Sequence, residues 1–352
     1  MSQEFFELIQ QWDGNGVVTS YDAETGAWIF IALHDARLGR PTGGTRMKVY
    51  PKVTDGLVDA MRLAEGMTYK WAGIRMATGG AKAVIALDHP VEGDEREGLL
   101  LRYGDLVDSL AGAFATGADL GTGAQAMEVI GRRTPYVIGV NPDGSSTDPG
   151  PYTARGVYVG ILAALQTVFG EASPEGRKIL VEGLGGVGLP LLRALHQEGA
   201  RLLLADLDEE KAASLAHELG AEAVALADVP ETECDVYAPC AVGATVNPDT
   251  VPRLKCRIVA GSANNQLLSD ADAEALHERG ILYVPDYIIN AGGALALTLL
   301  REGRSSASSF ERVGMIRETV AEILADATDA NESPIHAARR HAVRVLAEAG
   351  TQ

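Results

Sequence analysis

The sequence predicts an α/β protein of two domains, and three observations predict it. The chain is 352 residues long, enough for two cores of ordinary size. Runs with strand character alternate with runs of helical periodicity along most of its length. From residue 178 onward a strand, a glycine-rich turn, a helix and a second strand follow one another in the order of a dinucleotide-binding unit.

In chain order, residues 2–12 have the pattern of a short helix ended by Asp13-Gly14-Asn15-Gly16. Val17–Tyr21 and Ala27–His34 read as strands on either side of a turn-rich segment. Leu38–Thr45 reads as a Gly/Pro loop. Val53–Tyr69 reads as an amphipathic helix, because Leu57, Ala60, Met61, Ala64 and Met67 recur at helical spacing with Asp59, Arg62 and Glu65 mostly between them. Lys70 stands at its end. Ala83–Leu87 reads as a buried strand, with Lys82 at its glycine-rich entry. Residues 93–115 look helical again, and 137–155, rich in Gly, Pro, Ser, Asp and Thr, reads as a hinge. A first domain over 1–136 and a second over 137–324 follow.

Lys70 and Lys82 each close a small motif, Gly66-Met67-Thr68-Tyr69-Lys70 and Thr78-Gly79-Gly80-Ala81-Lys82. Two lysines close in space depress each other's pKa. One can then stay charged and hold an anion while the other serves as a neutral base. Two solvated surface lysines are the plainer alternative. The glycines beside Lys82 allow a backbone to approach a ligand closely. Asp119, in Thr116-Gly117-Ala118-Asp119-Leu120-Gly121-Thr122, reads either as a helix cap or as a reacting group.

In the second half, Lys178–Glu182 reads as a buried parallel strand that runs into Gly183-Leu184-Gly185-Gly186-Val187-Gly188. A helix over Leu189–Gly199 and a strand over Arg201–Ala205 follow, ending at Asp206. A glycine fingerprint alone is weak; strand, helix, second strand and an acidic residue about 20 positions on complete the context. The glycines admit the pyrophosphate to the helix N-terminus. Asp206 suits a ribose 2′-hydroxyl and repels a 2′-phosphate, so NAD is favoured over NADP. Strands over Ala223–Leu226, Val236–Ala238, Arg257–Ala260 and Leu282–Val284 continue the alternation. The loops Pro239-Cys240-Ala241 and Gly261-Ser262-Ala263-Asn264-Asn265 then lie beyond strand ends, where ligands bind. Cys240 reads as a small buried residue with no mark of a nucleophile. The end, 310–349, reads as helix broken at Pro334.

Gly43-Gly44-Thr45-Arg46, Gly66–Lys70 and Gly79-Gly80-Ala81-Lys82, in this order and spacing, resemble the amino acid dehydrogenase family of glutamate, leucine, phenylalanine and valine dehydrogenases. Ala81 departs from that pattern, where a third glycine is usual. The segments around Cys240, Asn265 and Pro285–Gly293 resemble it too, so the resemblance runs from about residue 17 to 295. It implies a substrate and catalytic domain, completed by the helix over 325–352, a Rossmann domain, a cleft between them that closes on the substrate, and a homo-oligomer. Lys70 is implied to bind the substrate carboxylate, Lys82 to be the base, and Asp119 to share its protons. Thr42, Gly43 and Met67 are implied to border the substrate. Asn265 is implied to touch the substrate carboxylate or backbone. Thr153, Asn264 and Asn290 are implied to border the nicotinamide, with Cys240 and Ala241 on the cofactor side.

Family members acting on glutamate carry a lysine where Thr42 stands, so an anionic side chain lacks its partner here. Gly117 and Ala294 are smaller than the residues usual in the aliphatic enzymes, which leaves room for a ring; Leu297 completes that wall. The resemblance thus implies NAD-dependent oxidative deamination of a hydrophobic L-amino acid, phenylalanine first and leucine or valine next, to the 2-oxo acid, ammonia and NADH. Two other readings use the same scaffold. A different Rossmann oxidoreductase, acting on an imine or hydroxy acid, would not need both lysines. A catalytically silent NAD-binding regulator would bind without turnover.

Composition excludes other classes. The net charge of −18 argues against nucleic acid or an anionic membrane as a partner. Cys234, Cys240 and Cys256 show no framework spacing, which points to a reducing compartment and the cytoplasm. The seven histidines show no metal-ligand spacing, so no metal site is expected. No signal peptide, membrane span, Gly-x-Ser-x-Gly elbow or Walker-type motif is read.

Overall fold

The computed structural model describes residues 3–141 and 143–350. The chain divides into two compact units. Unit 1 takes Met1–Asp148, Leu300–Gly303 and Ala342–Gln352; unit 2 takes Pro149–Leu299 and Arg304–His341.

Unit 1 runs α1 (Gln3–Gln11), β1 (Gly16–Tyr21), β2 (Trp28–Asp35), β3 (Pro41–Val49), α2 (Val53–Gly73), β4 (Gly79–Leu87), α3 (Gly93–Ser109), β5 (Ala115–Gly117) and α4 (Ala124–Gly131). Its sheet has the order β1-β2-β4-β3-β5. β1 and β4 both pair antiparallel with β2, while β3 is parallel to β4 and β5. β4 is buried along its whole length. Its Val84 and Ala86 pack with Leu57, Ala60, Met61 and Ala64 of α2, and its Ala83 and Ile85 with Leu99, Tyr103 and Met127 of α3 and α4. One strand thus separates two cores by simple alternation.

Several expectations need correction here. The Gly/Pro loop at 38–45 is mostly β3, and β4 begins at Gly79, so Lys82 lies within a strand. Glycine was read as loop, but these glycines let backbones meet: a Cβ on Gly43 would lie 1.7 Å from the Ala81 carbonyl oxygen, and one on Gly79 2.4 Å from that of Asp35. The expected helix over 93–115 ends at Ser109, and α4 was not foreseen. Unit 1 also extends past 136, because Val137 bridges to Thr116 and the Ile138 N–H donates to the Thr116 oxygen at 2.7 Å.

Unit 2 runs α5 (Gly150–Phe169), β6 (Lys178–Glu182), α6 (Gly188–Gln197), β7 (Arg201–Ala205), α7 (Glu209–Leu219), β8 (Glu222–Ala223), β9 (Val236–Pro239), β10 (Ile258–Val259), α8 (Asp270–Glu278), β11 (Leu282–Tyr283), α9 (Asp286–Ile289), α10 (Gly292–Arg301), α11 (Ser306–Gly314), α12 (Ile316–Ala330) and α13 (Pro334–Ala349). Residues of α10 and α13 from Leu300 and Ala342 onward count with unit 1. The sheet is parallel throughout, in the order β11-β10-β9-β6-β7-β8. This is the strand order of the Rossmann fold, with β6 first and the chain reversing direction of travel between β6 and β9. The expected hinge at 137–155 contains the changeover between the units, after Asp148, and its last residues form the first turn of α5. Pro334 does not break a helix but opens α13, where its missing N–H costs nothing. The expected domain changeover at 324 falls at 341, because α12 packs on α5 through Val320 and the Gly160 region.

Candidate active site

Lys82 lies on the face of β4 that also carries Val84 and Ala86, toward α2, and is 7 % exposed. Its Nζ forms an ion pair with Oδ2 of Asp119. Asp119 follows β5 in a turn fixed on both sides. Thr122 Oγ1 donates to the Thr45 carbonyl oxygen, and the Leu120 N–H donates to Asp119 Oδ1 at 2.5 Å. A Cβ on Gly44 would lie 2.6 Å from the Ala118 oxygen, so glycine there is what lets the turn sit against β3.

The pair does not stand alone. Arg46 on β3 places Nη2 3.5 Å from Asp119 Oδ1 and Nη1 3.0 Å from Asp59 Oδ2 on α2. Asp59 also accepts from Tyr50 Oη at 2.6 Å and Arg62 Nη2 at 2.9 Å. Burial pulls the Lys82 pKa below the ordinary lysine value, against the charge of Asp119, and the Arg46 cation adds to the depression. Burial would raise the Asp119 carboxyl, but Lys82, the Leu120 N–H and Arg46 outweigh it and hold it below the usual carboxylate range. The result is a carboxylate beside a lysine that gives up its proton more easily than a free one. Arg46 is a depressing neighbour that sequence reasoning did not name.

Lys70 lies in the last turn of α2, half-buried like Met67. Thr42 is buried: its carbonyl accepts the Trp71 indole N–H at 3.0 Å, and its hydroxyl donates to the Arg40 oxygen at 3.1 Å. Gly43 is buried beside it. The room expected at Gly117 is filled. A Cβ there would lie 2.6 Å from Cγ1 and 2.9 Å from Cδ1 of Ile138, which is 7 % exposed. Gly117 makes space for that isoleucine. Neither Ile138 nor the Arg46–Asp59–Tyr50 network was foreseen. Asp59 was read as the polar side of a helix, and no spacing rule links it to residue 46 or 119.

In unit 2, β6 ends in a turn where Gly183 has φ +92° and a Cβ would lie 2.6 Å from Ala241 Cβ. A Cβ on Gly188 would lie 1.8 Å from the Gly183 oxygen, so that glycine lets α6 lie against the strand. Gly185 and Gly186 are exposed, and a Cβ on either would meet nothing within 4 Å. These are the requirements of a dinucleotide turn: one glycine for the bend, one for helix packing, and open backbone between for a pyrophosphate. Val187 is half-buried at the start of α6.

Asp206, at the end of β7, accepts the Leu184 N–H at 2.6 Å and the Asp208 N–H at 3.0 Å. Those bonds and Lys211 overcome its partial burial and keep its pKa below the ordinary value. Cys240 is half-buried next to this turn, and burial pushes its thiol pKa up, so it is a poor nucleophile. Asn290 is buried and donates to Asn264 Oδ1 at 2.8 Å and the Ser262 oxygen at 3.2 Å, which brings those two asparagines together. Asn265 beside them is exposed with φ +53°. Thr153 is held against Gly293, where a Cβ would lie 2.4 Å from its Oγ1. Ala294 and Leu297 are half-buried on one side of α10.

Two family models match the chain, one described as Glu/Leu/Phe/Val dehydrogenase, dimerisation domain, over 21–136, the other as Glutamate/Leucine/Phenylalanine/Valine dehydrogenase over 203–352. The leucine dehydrogenase of Bacillus cereus is 42% identical over 325 residues, covering 92% of this chain and 88% of that protein. The valine dehydrogenase of Streptomyces albus is 37% identical over 338 residues, covering 95% and 92%. The crystal structure of L-tryptophan dehydrogenase from Nostoc punctiforme superposes with a TM-score of 0.87 at 34% identity, over 99% of this chain and 100% of that one. The pairing of buried Lys82 with Asp119, the dinucleotide turn and these likenesses agree: the chain belongs to the glutamate/leucine/phenylalanine/valine dehydrogenase family and is an amino acid dehydrogenase.

Proposed function

We propose that the protein catalyses NAD-dependent oxidative deamination of a hydrophobic L-amino acid, giving the 2-oxo acid, ammonia and NADH. The observation that carries the reading is Lys82, a buried lysine of lowered pKa paired with an ionised Asp119. Lys70 holds the substrate carboxylate by charge, and Thr42, Gly43 and Met67 border the same substrate. The cofactor supplies a hydride acceptor. Neutral Lys82 takes a proton from the substrate nitrogen as the hydride leaves Cα. Lys82 passes that proton by way of Asp119 to solvent and, neutral again, takes a proton from the water that attacks the imino acid. Asn265 steadies the substrate carboxylate, while Asn264, Asn290 and Thr153 border the nicotinamide amide.

Asp206 favours NAD. Both its oxygens are fixed by backbone N–H groups, and it stays ionised, so a 2′-phosphate would meet a standing negative charge. The size argument for phenylalanine rests on Gly117, Ala294 and Leu297. With Ile138 filling the space at Gly117, leucine and other branched side chains move ahead of phenylalanine. The names of the leucine and valine relatives support that order. The domain described for dimerisation supports a homo-oligomer, and three unpaired cysteines fit the cytoplasm.

The test is NADH formation at alkaline pH with L-leucine, L-valine, L-phenylalanine, L-tryptophan and L-glutamate, NADP+ in parallel, and Lys82→Ala beside the wild type. Leucine or valine should lead, NADP+ should be poor, and kcat of Lys82→Ala should fall by about 10²- to 10⁴-fold. A fully active Lys82→Ala would point to another oxidoreductase, and NAD binding without any turnover to a regulator.

A further inference from the structure

We infer that His34 is a positioning residue, which through Thr68 fixes the helix carrying Lys70 against the strand carrying Lys82. The inference rests on the deaminating reading above. β2 pairs with β4 through Leu33↔Ala81 and then Asp35↔Gly80, which leaves His34 as the extra residue of a bulge. Bulges re-aim side chains and gather beside active sites. The imidazole, 9 % exposed, lies on the α2 side of the sheet, the face that Phe30 and Ala32 of the same strand also present. Nδ1 lies 2.8 Å from Thr68 Oγ1, and Nε2 lies 3.2 Å from Asp13 Oδ1. Asp13 accepts, so in the neutral ring Nε2–H donates to it and Nδ1 accepts the Thr68 hydroxyl proton, for which the Ala64 carbonyl oxygen at 3.4 Å is the competing acceptor. The Asn15 N–H donates to the His34 carbonyl oxygen at 3.0 Å, and the Trp12 ring packs on the imidazole with centroids 5.7 Å apart.

Thr68 is where helix and strand touch. A Cβ on Gly80 would lie 1.9 Å from Thr68 Oγ1 and 2.6 Å from its Cα, so the helix backbone rests directly on the strand. Thr68 is two residues before Lys70, and Gly80 two residues before Lys82 on the same face of β4. A slide or roll of α2 at this contact moves Lys70 relative to Lys82 more directly than one anywhere else along the helix. Asp59 ties the first half of α2 to Arg46 and Tyr50, and Trp71 ties its end to Thr42; the His34–Thr68 bond is the directed contact at the point where helix and β4 backbones touch. Thr68 offers the hydroxyl, His34 the acceptor, and Asp13 the orientation of the ring.

The test uses steady-state kinetics of the full-length enzyme with Thr68→Val, Thr68→Ser and Asp13→Ala. Asp13 has a side chain 81 % exposed, so its replacement should leave the fold intact. Thr68→Val should raise KM for the amino acid about tenfold, inside the roughly hundredfold that a displacement of about 1 Å can cost. KM for NAD+ should stay at the wild-type value. Thr68→Ser, which keeps the hydroxyl, should return the amino acid KM toward wild type, and Asp13→Ala should raise it a few fold. The inference is overturned if Thr68→Val changes only Tm, if Thr68→Ser raises the amino acid KM as much as Thr68→Val does, if Asp13→Ala leaves that KM at the wild-type value, or if KM for NAD+ and for the amino acid move together. A wild type that turns over no amino acid sinks the deaminating reading instead.

Discussion

Glycines crowd two stretches of this chain, and they do different work. In unit 1 Gly43, Gly44, Gly79 and Gly80 surround Lys82, and every one of them is taken up by the protein itself: a Cβ on any would strike a backbone or side-chain atom at 1.7 to 2.6 Å. In unit 2 the outer glycines of the turn, Gly183 and Gly188, are taken up in the same way, but Gly185 and Gly186 between them face open space. The first cluster packs strand on strand and helix on strand so tightly that a lysine is buried beside a half-buried aspartate. The second leaves backbone N–H groups bare for an anion. A glycine-rich motif therefore signals close backbone approach, and only the structure tells whether the approaching group is the protein or a ligand.

The comparison breaks most visibly under a single methyl group. Gly80→Ala drives a Cβ into Thr68, and should destabilise the fold by about 1–3 kcal/mol, read as a fall of several degrees in Tm. Gly185→Ala should leave Tm of the free protein unchanged. The same penalty should appear there on binding, as a loss of about tenfold or more in NAD affinity. If Gly185→Ala lowers Tm without touching NAD affinity, the two clusters do the same work and the contrast is wrong.

A smaller effect is expected at Ile138, whose side chain packs where a Cβ on Gly117 would lie. Ile138→Ala should open the space that Gly117 yields and raise the phenylalanine-to-leucine ratio of kcat/KM by about tenfold. An unchanged ratio would place the side-chain pocket elsewhere.

How much of this could be read beforehand differs between the two units, for a physical reason. In unit 2, β6 and β7 have the bounds expected, because each apolar run ends at a charged residue and the two strands pair across a short stretch of chain. The turn and Asp206 followed from local order alone. In unit 1 the important neighbours are far apart. Lys82 and Asp119 were linked by family likeness and not by any pattern. Arg46, Asp59 and Ile138 act only through tertiary contacts. β3 was mistaken for a loop because its glycines have no side chain to show periodicity. Gly117 shows the same limit, since the isoleucine that packs where its Cβ would lie is not a neighbour any local pattern points to.

The smallest expected effect is electrostatic. Burial and the Arg46 cation both lower the Lys82 pKa, while Asp119 and Asp59 raise it. The base must be neutral to accept a proton, so activity in the deaminating direction should rise with pH through the Lys82 pKa and level off below the ordinary lysine value of 10.5. Arg46→Met removes a cation that depresses that pKa and leaves the raising carboxylates in place. The rising limb of kcat/KM should therefore move to higher pH, with the plateau reached later. Arg46→Lys, which keeps a positive charge, should move it less. Asp59 keeps Tyr50 and Arg62 as partners in both variants, so a shift in the limb reports on Lys82 and not on collapse of the network. A limb that moves to lower pH would mean that Arg46 acts chiefly by holding Asp119 in place, and that the charge next to Lys82 is set by the carboxylate alone.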